Sequence, residues 1–348
     1  MTESFSNLII NWYQNHKRDL PWRNTSDPYK IWLSEIILQQ TRVIQGLPYY
    51  EKFIAKYPNV FDLANAPEDE VMRLWQGLGY YSRARNLHAC AKMVVEQYGG
   101  QFPNTYSELL KLKGVGKYTA AAIASFAFGE ATPVVDGNVF RVLARYFNIT
   151  DDIAQPKTFK KFFEVSEDLI PEKQPADYNQ AMMELGATVC SPKSPNCSEC
   201  PIAEGCEARI NNKQAELPVK KKKIKVKRRY LYYLIWQNEN KIAMKKRGPQ
   251  DIWQGLFDFE LIETEKALDM NDIISKIQNL HQDVEIIEIS DAYQHILSHQ
   301  KLEAVFIELN KKTDNTLHDN DLVYYTQDEI EELPKPRLIE NYLSSRNI

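Results

Sequence analysis

The chain has 348 residues, 43% of them hydrophobic and 26% charged, with a formal net charge of −4. That is length for two domains and apolar content for a sizeable core, while no apolar run approaches the roughly 18 residues that a bilayer-spanning helix needs. The charge is uneven: 31 Lys and Arg stand against 25 Asp and Glu up to Arg229, and 12 against 22 from Tyr230 on, so the first part is the one suited to meet a polyanion.

The opening MTESFSNLIINWYQNH has no basic segment ahead of a continuous apolar stretch. No signal peptide is therefore expected, and the protein is expected in the cytoplasm. Residues 4–16 put Phe5, Leu8, Ile9 and Trp12 on one face, which predicts an amphipathic helix. The polar KRDLPWRNTSDPYK follows and contains Asp27-Pro28, an N-cap with a first-turn proline, opening a helix over YKIWLSEIILQQT. In that helix Glu35 has Ile31, Trp32, Leu38 and Gln39 three and four positions away. A carboxyl on so apolar a face resists ionising, keeps its proton nearer neutrality and suits a general acid. The bland alternative is a glutamate that reaches solvent from a half-buried helix. Gln39, Gln40 and Thr41 close the helix as polar groups able to meet bases.

Further helices are expected over 47–57, 67–76 and 82–98. Between the last two lies GLGYYSRARN, whose glycines allow a backbone to come close and whose Tyr80 and Tyr81 could enter a base stack. Residues 107–138 read SELLKLKGVGKYTAAAIASFAFGEATPVVDGN. A short helix ends near Leu112, Gly114 and Gly116 make a tight turn, and Tyr118–Phe128 is a small-residue helix. Its first N–H groups are free to meet an anion. Asp136 is placed to cap a helix beginning at Val139, with Asn138 pointing into the same cleft. Helices over 158–170 and 177–189 complete an all-α domain.

Cys190, Cys197, Cys200 and Cys206 form C-x6-C-x2-C-x5-C, stiffened by Pro192, Pro195 and Pro201. Clustered cysteines in an intracellular chain point to a metal centre, and four thiolates hold either a tetrahedral zinc or an iron–sulfur cube. Cys90 falls in a helical pattern and reads as core. From Lys220, eight of ten residues are basic, a tether or a phosphate-tracking segment. From Tyr230 the apolar period shifts towards two. RRYLYYLIWQNENKIAMKKR predicts a hairpin about Asn238-Glu239-Asn240, LFDFELIE, DVEIIEIS and LEAVFIELN predict strands, and Asp272–Leu280 predicts a helix, together a small α+β domain.

A glycine turn followed some twenty residues later by a carboxylate resembles the helix-hairpin-helix plus Gly/Pro-Asp motif of DNA glycosylases. The chain is similar over nearly its whole length to adenine-specific DNA glycosylases of the MutY type, which remove adenine mispaired with 8-oxoguanine. The likeness is carried by LPWR (Leu20–Arg23), WLSEIILQQT (Trp32–Thr41), GLGYYSRARNLH (Gly77–His88), LKGVGKYTA (Leu112–Ala120), VVDGNVFRVLAR (Val134–Arg145), NQAMMELGA (Asn179–Ala187) and the four cysteines. It implies a multidomain chain: an all-α catalytic domain over 1–212 with the hairpin motif at 107–128 and an iron–sulfur loop at 190–206, a basic linker over 213–229, and a Nudix-like lesion-recognition domain over 230–348. The glutamate-rich Nudix hydrolase helix is absent, so pyrophosphatase activity is not expected.

The same resemblance implies roles. Glu35 protonates adenine N7, and Asp136 stabilises, or transiently bonds, the oxocarbenium ion, a division of labour that glycosidases also use. Tyr118 and Asn138 assist around the sugar, while Arg18, Trp22 and Gln180 hold the extruded base. Gln40, Thr41 and Tyr80 fill the vacated stack, Gly114 and Gly116 clamp phosphate, and the four cysteines bind a [4Fe–4S] cluster. Ser298 and His299 match the lesion-probing loop, whose usual Phe is Leu297 here. Bifunctional relatives of the endonuclease III type carry a catalytic lysine at the position of Tyr118; Lys117, one place away, is turned by about 100°, so a monofunctional glycosylase is expected rather than a glycosylase–lyase. The implied partner is duplex DNA with adenine opposite 8-oxoguanine or guanine, and the implied protein is a bacterial, nucleoid-associated monomer that needs no membrane and offers the basic linker to a repair partner.

Overall fold

The computed structural model describes residues 4–221, 226–249, 251–281, 284–311 and 321–346. In chain order the elements are α1 (Phe5–His16), a 3-10 turn (Pro21–Arg23), α2 (Pro28–Leu38), α3 (Val43–Lys56), α4 (Val60–Asn65), α5 (Glu68–Leu74), α6 (Ser82–Tyr98), α7 (Tyr106–Leu109), α8 (Lys117–Phe128), α9 (Gly137–Tyr146), α10 (Pro156–Glu167), α11 (Pro175–Thr188) and α12 (Glu207–Ile210). Then come β1 (Lys227–Asn238), β2 (Lys241–Lys246), β3 (Phe257–Asp258), β4 (Glu260–Thr264), α13 (Met270–Leu280), β5 (Val284–Ile289), β6 (Tyr293–Ile296), β7 (Gln300–Lys311), β8 (Val323–Thr326), α14 (Gln327–Glu332) and α15 (Arg337–Ser345). Among the described residues, no helix is long and apolar enough to cross a membrane.

These elements form two compact units, Met1–Asn65 with Asn86–Lys222, and Ala66–Arg85 with Lys223–Ile348. The first is helical. Asp27 caps α2 through the Tyr29 amide, and Pro28 sits in its first turn. From Ile31 to Ile37 the helix is buried all round, which marks a central helix rather than a surface one. It packs against α8, whose Thr119–Ser125 stretch is buried and whose alanines allow close approach. Gly129, at φ 71°, ends α8 in the left-handed conformation that suits glycine. A second core joins α1, α9, α10 and α11 through Ile9, Tyr13, Leu143, Phe162, Met182 and Leu185.

The second unit is built on β1, antiparallel to β4 and parallel to β7. Both faces of β1 are covered. Tyr232, Leu234 and Trp236 pack with Ile273 and Ile277 of α13. Tyr233 points the other way and stacks on Phe306 at 5.2 Å, which stacks in turn on Tyr342 of α15 at 4.0 Å.

Three readings change. Residues 66–85 group with the C-terminal part rather than with the helical domain. The bonds responsible are long-range: Arg85 donates to the Gln254 carbonyl at 2.6 Å, and the Lys335 amide donates to Gln76 Oε1 at 2.9 Å. Residues 213–221 are no free tether, since Leu217 is buried in the helical core and the Ile153 amide donates to the Val219 carbonyl. Residues 222–225 of the basic run lie outside the described residues, and Lys227–Arg229 already belong to β1. LFDFELIE, read as one strand, is broken at Phe259 into β3 and β4 because β3 pairs with β2 and β4 with β1.

Candidate active site

Within the helical unit a cleft of about 460 Å³ is lined by Arg18, Trp22, Arg23, Glu35, Thr41, Tyr118, Asp136, Asn138, Gln180 and Glu184, among others. The two carboxylates singled out in the sequence therefore open onto one space, from the middle of α2 and the head of α9. Glu35 is 6% exposed. Burial pushes its carboxyl up to about 7, opposed by a hydrogen bond donated from the Tyr118 hydroxyl; the Asp136 charge adds to the rise and Arg23 works against it. Loss of water around a charged form that has few replacements is the dominant cause.

Asp136 is half-buried and caps α9. One carboxylate oxygen accepts from the Asn138 and Val139 amides, both at 2.8 Å, and the other accepts from Asn138 Nδ2 at 2.8 Å. Burial raises its carboxyl, and these donors pull it back. The cap does not exclude a functional role, because it fixes the carboxylate at the cleft while the helix N-terminus favours negative charge there. The Asn138 carbonyl oxygen accepts from Arg141 Nη2 at 2.8 Å, which sets its amide orientation.

Buried Asn179 ties the segment leading to Asp136 in place. It accepts from the Val134 amide and donates to Ser125 and to the Thr132 carbonyl. Gly186 of α11 lies against Asn138: a Cβ there would stand 2.5 Å from the Asn138 Cβ and 3.0 Å from its Cα. Gly186→Ala must displace the head of α9 and is expected to cost about 1–3 kcal/mol of stability and much of the activity. Thermal unfolding and single-turnover rates measured together check this.

The remaining assignments separate. Trp22 lines the cleft edge-on to Tyr50 at 5.2 Å. Gln180 accepts from the Tyr13 hydroxyl at 2.5 Å. Gln40 is exposed with φ 54° just past α2, and Thr41 reaches the cleft. Gln39 donates to Thr119 at 3.2 Å, tying the end of α2 to α8 within the helical unit. Of the two turn glycines, Gly114 needs its residue type: φ is 74°, and a Cβ would meet Asn86 at 2.7 Å. Gly116 has φ −93°, with nothing within 4 Å of a Cβ, so it leaves the uncapped head of α8 open. Lys117 holds its ammonium 5.3 Å from the centre of the Phe159 ring, while Tyr118 lines the cleft.

Glu184, Arg141 and Arg145 carry no local pattern that singles them out in the sequence. Glu184 accepts from Arg18 and Arg23 at the cleft floor. Arg141 and Arg145, one turn apart on α9, bind the cysteine loop: Arg141 donates to the Cys190 carbonyl, and Arg145 to the Ser191 and Pro192 carbonyls and to Cys190 Sγ at 3.3 Å. Only the four-residue spacing of the two arginines hinted at a shared face.

Cys190, Cys197, Cys200 and Cys206 line one largely apolar pocket. Burial pushes the Cys200 thiol up to about 11, helped by the three other sulfurs and opposed by the Ile202 amide. Among the described residues, no three His, Cys, Asp or Glu side chains are gathered as ligands of a metal ion. What the loop offers is four sulfurs around one pocket, with Arg145 donating to Cys190 Sγ and the Ile202, Ala208 and Arg209 amides turned to Cys200 and Cys206, the N–H surroundings that thiolate ligands use.

In the second unit, a pocket of about 690 Å³ is lined by Tyr80, Trp253, His295, Ser298, His299 and Arg337, among others. Tyr80, 42% exposed at φ 51°, hydrogen-bonds its hydroxyl to Ser298 Oγ and lays its ring beside the Arg83 guanidinium. Tyr81 is buried with its hydroxyl on the Lys335 carbonyl, so it is not free to enter a base stack.

Residues 33–168 match the HhH-GPD superfamily of base excision DNA repair proteins, and residues 231–345 match the NUDIX domain family. The chain is 39% identical over 312 residues to the adenine DNA glycosylase of Buchnera aphidicola subsp. Baizongia pistaciae (strain Bp), spanning 88% of this chain and 87% of that one. It is 33% identical over 343 residues to the adenine DNA glycosylase of Buchnera aphidicola subsp. Acyrthosiphon pisum (strain APS), spanning 98% and 97%. Among solved structures, a thermostable thymine-DNA glycosylase superposes with a TM-score of 0.55 at 33% identity, covering 60% of this chain and 95% of that one.

Proposed function

Because the chain belongs to the adenine DNA glycosylases, DNA repair enzymes of the HhH-GPD base excision superfamily, we propose that it removes adenine paired with 8-oxoguanine or guanine in duplex DNA, acting on a nucleotide turned out of the helix. Extrusion is required because the glycosidic bond is out of reach inside a stacked duplex. The observation that carries this reading is the meeting, in one cleft, of a carboxyl that burial pushes up to about 7 with a second carboxyl held by three N–H donors at the head of α9.

Glu35 gives its proton to adenine N7, and the C1′–N9 bond breaks with its electron pair moving onto the base, which leaves neutral. The sugar's positive charge faces Asp136, held by Asn138 and the head of α9. Water then adds at C1′ and returns a proton to the Glu35 carboxylate. Tyr118, hydrogen-bonded to Glu35, keeps that carboxyl turned into the cleft. Hydrolysis without strand cleavage is supported by Lys117 lying over Phe159 rather than in the cleft. Cys190, Cys197, Cys200 and Cys206 would hold a [4Fe–4S] cluster; when bound it supplies a charged structural brace for the loop that Arg141 and Arg145 join to α9. Iron and sulfide analysis of the purified protein tests it, with four of each per chain expected.

Free adenine released from duplexes carrying each base opposite adenine is the deciding measurement. Release with 8-oxoguanine and guanine alone, without strand scission above background, is expected; scission abolished by Lys117→Ala would overturn the monofunctional reading. The pocket around Tyr80, Ser298 and His299 is the proposed reader of the opposing base, with the protein acting as a monomer. Tyr80→Ala is expected to weaken binding to the 8-oxoguanine duplex by about 1–3 kcal/mol, the range for loss of one stacked aromatic, which a titration against the matched duplex measures.

A further inference from the structure

Glu184 lies on α11 at the cleft floor with its side chain fully buried. It accepts from Arg18 three times, at the backbone amide (3.0 Å), Nε (2.8 Å) and Nη2 (2.6 Å), and once from Arg23 Nη2 at 2.7 Å. Burial alone would raise this carboxyl, yet the two guanidinium groups hold it at about 2. Two arginines on one carboxylate leave a positive excess, shared through a bidentate fork. Arg18 turns its partly exposed side chain to the cleft mouth, and Arg23 faces the Tyr13 ring at 5.6 Å.

The charged and titratable groups acting on Glu35 come from three elements: Tyr118 on α8, Asp136 at the head of α9, and Arg23 on the 3-10 turn. Arg23 is the single cation among them. An arginine near the proposed acid favours its ionised form and so works against proton donation, unless a carboxylate neutralises it. A buried ion triad is at best weakly stabilising, so stability is a poor reason for this one.

Resting on the adenine-glycosylase reading above, we propose that Glu184 is a positioning residue of the adenine cleft: its buried carboxylate fixes Arg18 against the extruded base and neutralises Arg23, so that Glu35 keeps the proton it must donate. Glu184 itself touches neither base nor sugar. It acts through the two arginines.

The test is the pH dependence of single-turnover excision. The parent is read first; if it has no alkaline limb, the acid role of Glu35 fails, and this proposal with it, as an outcome distinct from those below. Glu184→Gln is expected to move the alkaline limb down by about one pH unit, so that its rate falls about tenfold further behind the parent at pH 8 than at pH 5.5. Adding Arg23→Met to that variant should bring the limb back up, and Glu184→Asp should leave it near the parent's position. A Glu184→Gln profile lowered by one factor at every pH, with no recovery in the double variant, would mean a merely structural residue and overturn the proposal. Should Glu184→Gln not fold, Arg23→Met alone decides: the limb moves up if Arg23 acts on Glu35, and an unmoved limb refutes the proposal.

Discussion

Glu35→Gln is expected to lower single-turnover adenine release by about 10²–10⁴-fold, the range supplied by a positioned general acid, while making the protein more stable. Gln is nearly the same shape but has no proton to give. The stability gain follows from the direction of the shift. Burial holds the folded-state carboxyl up at about 7, above its ordinary value of 4.5, so the folded protein binds the proton more tightly than the unfolded chain. Stability of the parent should therefore fall as pH rises from about 4.5 to about 7 and then level off, a loss of about 3 kcal/mol by the conversion of 1.36 kcal/mol per pKa unit. Gln carries no such penalty. Denaturant unfolding at pH 5 and pH 8 reads the difference, and a variant that gains nothing at pH 8 would contradict the buried-acid assignment. Excision by the parent should fall about tenfold per pH unit above pH 7; a rate flat to pH 9 would contradict it equally.

Asp136→Asn is expected to separate the cap that the Asp136 side chain makes from the sugar-facing role proposed for it. The Asn138 and Val139 amides need only an acceptor, and Asn caps a helix about as well as Asp, so the melting temperature should stay close to the parent's. What disappears is the negative charge facing the sugar. Removing one such electrostatic partner from a partly desolvated site costs about 10²–10³-fold in rate, and the expected loss in single-turnover excision is of that order. Asp136→Ala should lose the same rate and, in addition, about 1 kcal/mol of stability from the missing cap. If Asn restored most of the activity that Ala loses, Asp136 would be a cap and nothing more. A fall in rate on the acid side of the pH profile is the further signature, since protonation of Asp136 removes the same charge. The pair would then bracket a bell-shaped optimum whose limits belong to both carboxyls together.

Much of this site was legible because its chemistry is written in local patterns. Glu35 announced itself as a charged residue among Ile31, Trp32 and Leu38, and a helix buried all round is what such a run makes. Asp27-Pro28 marked the start of α2 within one residue, and α6 spans the residues its periodicity predicts. The places where pattern misled are also informative. Gln39 and Gln40 are neighbours of one type, yet one bonds Thr119 and the other faces solvent at a positive φ. Tyr80 and Tyr81 divide in the same way. A helix end or a loop turns successive side chains to different surroundings, and only the packing says which.

Composition, periodicity and capping signals determined the two-part character of the chain, its helical first part, the strands of its second and the four-thiol loop, while the pairing of Glu35 with Asp136 came from the family resemblance. The first four of these depend on neighbours within a turn or two of the chain. Tertiary structure alone decided that residues 66–85 side with the C-terminal unit, that Gly186 must be small so that Asn138 can stand where it does, and that Glu184 gathers Arg18 and Arg23 beneath the cleft. Those arrangements join residues about 50 to 260 positions apart, and a bond across such a separation leaves no trace in the local spacing of either partner.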